Sequence, residues 1–128
     1  MDFKKCEEQV ITLIKELRRE IVDDCENVWD LCDECRWNKE TQNGISICDN
    51  NTELYPIEAV CKDDCDTIEQ IMCALYKEMS KDCDVNKDDC SKCQWNRVSK
   101  NGQTLCDLHS KIMAYIIIEK MKERRNDE

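Results

Sequence analysis

Apolar residues recur at helical spacing over most of this chain. Phe3, Cys6, Val10, Leu13, Ile14, Leu17 and Ile21 follow one another at steps of three and four, which predicts an amphipathic helix over residues 2–24, with Asp2 as its cap. A second stripe, Ile68, Ile71, Met72, Leu75, Tyr76 and Met79, predicts a helix over residues 66–81. Its start at Asp66 or Thr67 carries Thr67-Ile-Glu-Gln70, which resembles a capping box. A third runs over about 108–125, where Leu108, Ile112, Met113, Tyr115, Ile116, Ile117, Ile118 and Met121 are apolar on more than one face. Such a helix belongs at the centre of a core or in a homodimer seam. Between the helices, Asn43-Gly44 and Asn101-Gly102 predict hairpins with type I′ turns, the first pairing residues 37–40 with 45–47. Residues 49–56 read as a linker, and Pro56 as the first turn of a short helix over 56–63 bearing Ile57, Val60 and Cys61.

The pattern is duplicated. Cys25, Cys32, Cys35 and Cys48 have the spacing C-x6-C-x2-C-x12-C, and Cys83, Cys90, Cys93 and Cys106 repeat it 58 residues later. Ten of the 25 positions from 25 to 49 are identical to those from 83 to 107, with no gap. The chain's two glycines, Gly44 and Gly102, fall at equivalent places. The same offset carries Val10, Ile14, Leu17 and Ile21 onto Ile68, Met72, Leu75 and Met79, so the repeat includes the helix before each cysteine cluster. Residues 1–64 and 65–128 are therefore expected to be two equivalent lobes.

Four soft thiolates in a tetrahedron suit Zn²⁺, and Cys-x2-Cys lets one tight turn supply two of them. Each hairpin would return its last cysteine to the knuckle, and Cys25 or Cys83 would close the set. Two Zn²⁺ ions are expected on these eight cysteines. Structural disulfides or an iron–sulfur cluster are the alternatives. Trp37 and Trp95, directly after each knuckle, are read as lids over the metal. Cys6, Cys61, Cys65 and Cys73 have no match in the repeat. A third site from Cys6, Cys61 and Cys65 is weaker than their burial as small apolar side chains. His109 is read as a surface or capping residue, because four cysteines already complete the site beside it.

Charge narrows the partners. The formal net charge is −10, and it is lopsided: residues 1–64 hold 8 basic and 17 acidic residues, residues 65–128 hold 11 and 12. Two tetrathiolate zinc sites would take the total to about −14. A phosphate-binding protein needs a basic footprint, so direct nucleic-acid binding is disfavoured and a basic protein surface is the expected partner. Lys92, Arg97 and Lys100 around Trp95 form the one stretch that suits a nucleic-acid-binding regulator. Asp23, Asp24, Glu26, Asp30, Asp33 and Glu34 crowd the first knuckle and are expected to face the partner. Trp29, whose equivalent is Lys87, is the candidate anchor.

No run reaches the roughly 18 apolar residues of a membrane span. The N-terminus has no apolar signal core, which favours the cytosol, reduced thiols and metal over disulfides. No Ser-His-Asp arrangement occurs, and a closed four-cysteine site lacks the open position that catalytic zinc requires, so no enzyme is expected.

Cys32-x2-Cys35-Arg36-Trp37 with Asn43-Gly44 and Cys48-Asp49 resembles the small zinc-ribbon and zinc-knuckle proteins of phages and mobile elements. The resemblance covers the two modules and implies metal binding of that type. The expected protein is mainly α, with long packed helices and two duplicated zinc-bound hairpin modules. Its expected role is that of a non-enzymatic acidic binding module in a host cytosol, with an inhibitor of anti-CRISPR or anti-restriction type as the specific form. A zinc-finger regulator and a thiol or iron–sulfur redox protein are the alternatives.

Overall fold

The computed structural model describes residues 3–29, 31–87, 89, 93–99 and 102–126. Four α-helices are found among them. A 3₁₀ turn over Phe3–Cys6 leads into α1, Glu7–Asn27; α2 is Ile47–Leu54, α3 is Cys65–Val85 and α4 is Leu105–Asn126. The fold is mainly α. Strand pairing among the described residues is limited to the isolated bridges Glu40–Ser46 and Val98–Thr104.

The heptad-like stripes do what their spacing demands. Val10, Leu13, Ile14, Leu17 and Ile21 of α1 and Ile68, Ile71, Met72 and Leu75 of α3 are buried. α1 packs against α4 and α2, and α3 against α2 and α4. Leu105, Leu108, Ile112 and Ile116 bury one face of α4, so both halves of the chain feed one core. Each such side chain contributes roughly 1.5–3 kcal/mol when fully buried. With few aromatics, the core gains most at Trp37 and Trp95. Both are buried, and they meet edge to face with ring centroids 6.0 Å apart at 89°.

The duplication in sequence is a duplication in geometry. Gly44 and Gly102 have φ of 79° and 86°. Trp29 and Lys87 share φ of 56° and 54°. Ser46 and Thr104 cap α2 and α4 through hydroxyls that accept from the Asp49 and Asp107 N–H groups, each at 3.0 Å. Asn51 Nδ2 donates to the Ile14 carbonyl at 3.2 Å, and His109 Nε2 meets the Met72 carbonyl at 2.9 Å, again 58 residues apart at both ends. Since a carbonyl only accepts, Nε2 of His109 carries the proton.

Several expectations are corrected. Most of α2 falls in the stretch 49–56 read as a linker, and residues 56–61 are not helical, although Ile57 and Val60 are buried. The offset that maps Ser46-Ile47 onto Thr104-Leu105 predicts both helices, and the capping hydroxyl starts each. The first hairpin turn is not type I′: Gly44 N–H closes on the Thr41 carbonyl at 3.0 Å and Gly44 takes positive φ while Asn43 does not, which is a turn followed by a left-handed glycine. α1 runs to Asn27, three residues past the expected end at 24, and Asp23 and Asp24 lie within its last turns. His109 is only 3% exposed and is not a surface residue; burial pushes its imidazolium pKa down, the Met72 carbonyl opposing in part. Asp2, Asp30, Asp88, Cys90, Lys92, Lys100, Asn101 and the Cys32 side chain lie outside the described residues.

Candidate metal centres and acidic tip

Three of the four cysteines of each repeat line one cleft. Cys25 comes from the end of α1, Cys35 from the knuckle and Cys48 from the first turn of α2. They border a cavity of about 250 Å³ with Ile21 and Val22. Cys83, Cys93 and Cys106 border the equivalent cavity of about 130 Å³ with Met79 and Trp95. The knuckle is tied back to α2 by the Cys48 N–H, which donates to the Trp37 carbonyl at 3.0 Å, and turned by Asn38 N–H on the Cys35 carbonyl at 3.1 Å. Among the described residues, no three or more Cys, His, Asp or Glu side chains are grouped so as to hold a metal ion. The fourth member of each predicted set, Cys32 or Cys90, is outside that description. The donor chemistry fits Zn²⁺: thiol-rich and apolar on one wall, with cysteines arriving from a helix end, a knuckle and a helix start.

The tryptophans are core before they are lids. Trp37 Nε1 donates to Asp24 Oδ2 at 2.7 Å, and Trp95 Nε1 donates to Asp82 Oδ2 at 2.7 Å. Each carboxylate immediately precedes a cysteine of its set, Cys25 or Cys83. Asp24 is therefore corrected from a partner-facing acid to an internal acceptor for a buried indole. The signal was available: Asp24 and Asp82 are identical at the same offset, one residue upstream of the cysteine framework. Trp95 borders the second cysteine cleft, which suits the lid reading as well.

Ion pairs cross between repeats in matched fashion. Lys39 reaches Glu78 on α3 at 2.7 Å, and its equivalent Arg97 reaches Glu20 on α1 at 2.7 Å. Burial works to push the Glu78 carboxyl up, but Lys39, Arg36 and Lys81 together hold it below the usual carboxylate range. Arg97 also holds Glu16 at 2.6 Å. This engagement removes Arg97 from the basic patch that the sequence suggested for nucleic acid.

The first repeat ends α1 in an acidic tip. Trp29 is 86% exposed, with Leu31 exposed beside it in the chain, and Asp23, Glu26, Asp33 and Glu34 are exposed. Trp29 N–H bonds the Glu26 carbonyl at 3.2 Å, the pattern of a helix closed by a left-handed residue. That position favours glycine, and an L-residue there costs on the order of 1–2 kcal/mol. The second repeat has Lys87 in the same conformation.

The unmatched cysteines do not gather. Cys6 is buried, Cys61 is exposed before the 3₁₀ turn Lys62–Asp64, and Cys65 opens α3. Cys73 is half-buried on α3, where burial and then Glu69 push its thiol pKa up. No helix among the described residues is long and apolar enough to cross a membrane.

Comparison with protein-family models, with curated proteins and with solved structures gives no match for this chain.

Proposed function

We propose that this chain is a non-enzymatic protein-binding module, stapled by two structural Zn²⁺ ions, that docks its acidic tip on a basic surface of another protein. The observation that carries this reading is Trp29. A large aromatic held 86% exposed, at φ 56°, among exposed carboxylates has no role in the core. Exposed Trp is a common source of interface energy, and surrounding carboxylates steer it to cationic partners. The zinc ions would be held by Cys25, Cys32, Cys35 and Cys48, and by Cys83, Cys90, Cys93 and Cys106. They would fix the knuckle that presents Asp33 and Glu34. Basic surfaces commonly exist to hold nucleic acid, so the specific form of the proposal is an inhibitor that covers such a surface on a host nuclease.

The test is inhibition of DNA cleavage by a panel of RNA-guided and restriction nucleases. Inhibition that disappears in Trp29→Ala and in Asp33→Lys with Glu34→Lys, and that fades with salt, supports the reading. Inhibition that survives molar salt and those replacements rules out docking by the acidic tip. Native mass spectrometry of reductively purified protein reports the metal. Two zinc ions per chain are expected, whereas iron with sulfide would move the chain to redox chemistry.

A further inference from the structure

We infer that the cleft between the first hairpin and α3 is a carboxylate-binding site, opened where the second repeat carries its own carboxylate. The cleft has a volume of about 310 Å³ and is bordered by Lys39, Lys77, Lys81, Ala74 and Glu78. That volume is at the small end of ligand pockets. The internal repeat shows what belongs there. In the equivalent place between the second hairpin and α1, Glu16 is buried, and its Oε2 is held by Arg97 at 2.6 Å and by Arg19 at 3.4 Å. Arg97 corresponds to Lys39, Arg19 to Lys77 and Glu16 to Ala74, each 58 residues apart. The first cleft thus keeps both cations and lacks the carboxylate.

Lys39 carries three N–H donors. Glu78 borders the cleft, with Lys81 Nζ 3.4 Å and Arg36 Nη2 3.8 Å from its Oε2. Glu78 is satisfied through Oε1 by Lys39, as Glu20 is by Arg97. Arg97 holds a second carboxylate besides that one, whereas Lys39 holds only Glu78 among the described residues. Among the charged residues bordering the cleft, Lys39, Lys77 and Lys81 outnumber Glu40 and Glu78 by one, a local excess within a chain of formal net charge −10. An entering carboxylate would meet Lys39 and Lys77 as Glu16 meets Arg97 and Arg19. It comes either from a small organic acid or from an acidic side chain of a peptide.

The reciprocal pair of substitutions tests this on the 128-residue chain purified under reducing conditions. Glutarate, an acetylated and amidated Gly-Glu-Gly peptide, and sulfate are titrated while the Cys73 and Lys77 amide NMR signals are followed. One saturable glutarate site is expected, with sulfate weaker. A tighter glutarate response assigns a free acid, and a tighter peptide response assigns a side-chain ligand. Ala74→Glu restores the internal carboxylate and abolishes the site. Lys77→Ala, an exposed change, weakens it about tenfold, the scale of one charge-assisted hydrogen bond. Glu16→Ala opens the twin cleft and raises the stoichiometry from one to two. Absence of saturation, equal binding of sulfate, or binding untouched by Ala74→Glu overturns the inference.

Discussion

Removing the Asp24 carboxylate should change stability in opposite directions depending on whether Trp37 is present. In the native chain, Asp24 accepts the buried Trp37 Nε1–H at 2.7 Å. A hydrogen bond to a charged acceptor contributes roughly 1.5–3 kcal/mol, and leaving the indole N–H buried without an acceptor forfeits it. Against this, Asp24 lies in the last turns of α1, where an anion opposes the helix dipole at a cost of about 0.3–1 kcal/mol. Asp24→Ala is therefore expected to destabilise by about 1–2 kcal/mol. In a Trp37→Phe background there is no indole to orphan, and only the dipole relief remains. There Asp24→Ala is expected to stabilise by about 0.3–1 kcal/mol. Urea unfolding by far-UV circular dichroism, at fixed zinc and reductant, reads both midpoints at constant slope. The cycle gives a coupling on the order of 1.5–3 kcal/mol. Equal costs in the two backgrounds would refute the reasoning, because the bond would then carry no net energy. Asp82 offers an internal control. It also pairs with Arg36 at 3.2 Å, so Asp82→Ala should stay destabilising even when Trp95 is phenylalanine.

Trp29→Gly should raise stability by about 1 kcal/mol by relieving the left-handed backbone, and Lys87→Gly should do the same, while only the former abolishes partner binding; a loss of stability in both would mean the conformation is not strained. His109 has a folded-state pKa below its unfolded value near 6.5, so it costs nothing above that pH; stability falls as pH drops beneath it, until the folded imidazole also protonates. His109→Gln should flatten the urea midpoint over that window, whereas the stability contributed by the lowered Glu78 carboxyl is fully present above its unfolded value and is lost as pH falls through its folded one, a loss that should persist in the variant. Cys25→Ser and Cys83→Ser should each reduce zinc from two to one per chain in native mass spectra, because each set spans one repeat; loss of both ions from a single change would overturn independent sites.

Much of this fold is legible in one dimension because helical burial is periodic. The stripes from Val10 to Ile21 and from Ile68 to Met79 require a buried face whatever they pack on, and the 58-residue offset requires that two segments fold alike. The cysteine spacing likewise brings three members of each set around one cleft. The short helix α2 was obscured because Asn50, Asn51 and Thr52 look like loop, yet Asn50 and Asn51 are buried with their amides bonded to the Thr41 hydroxyl and to the Ile14 carbonyl. Only tertiary structure satisfies such groups, and no local propensity announces it. The same holds for charge. Sequence counts Asp24 and Arg97 as surface charges, whereas packing makes the first an indole acceptor and pairs the second with the buried Glu16 across the repeats. Composition and period determined the helices, the duplication and the cysteine clusters, because these depend on neighbours in the chain. Which carboxylates face inward, which tryptophan stays outside and where the two halves differ depended on the partner each side chain meets across the core.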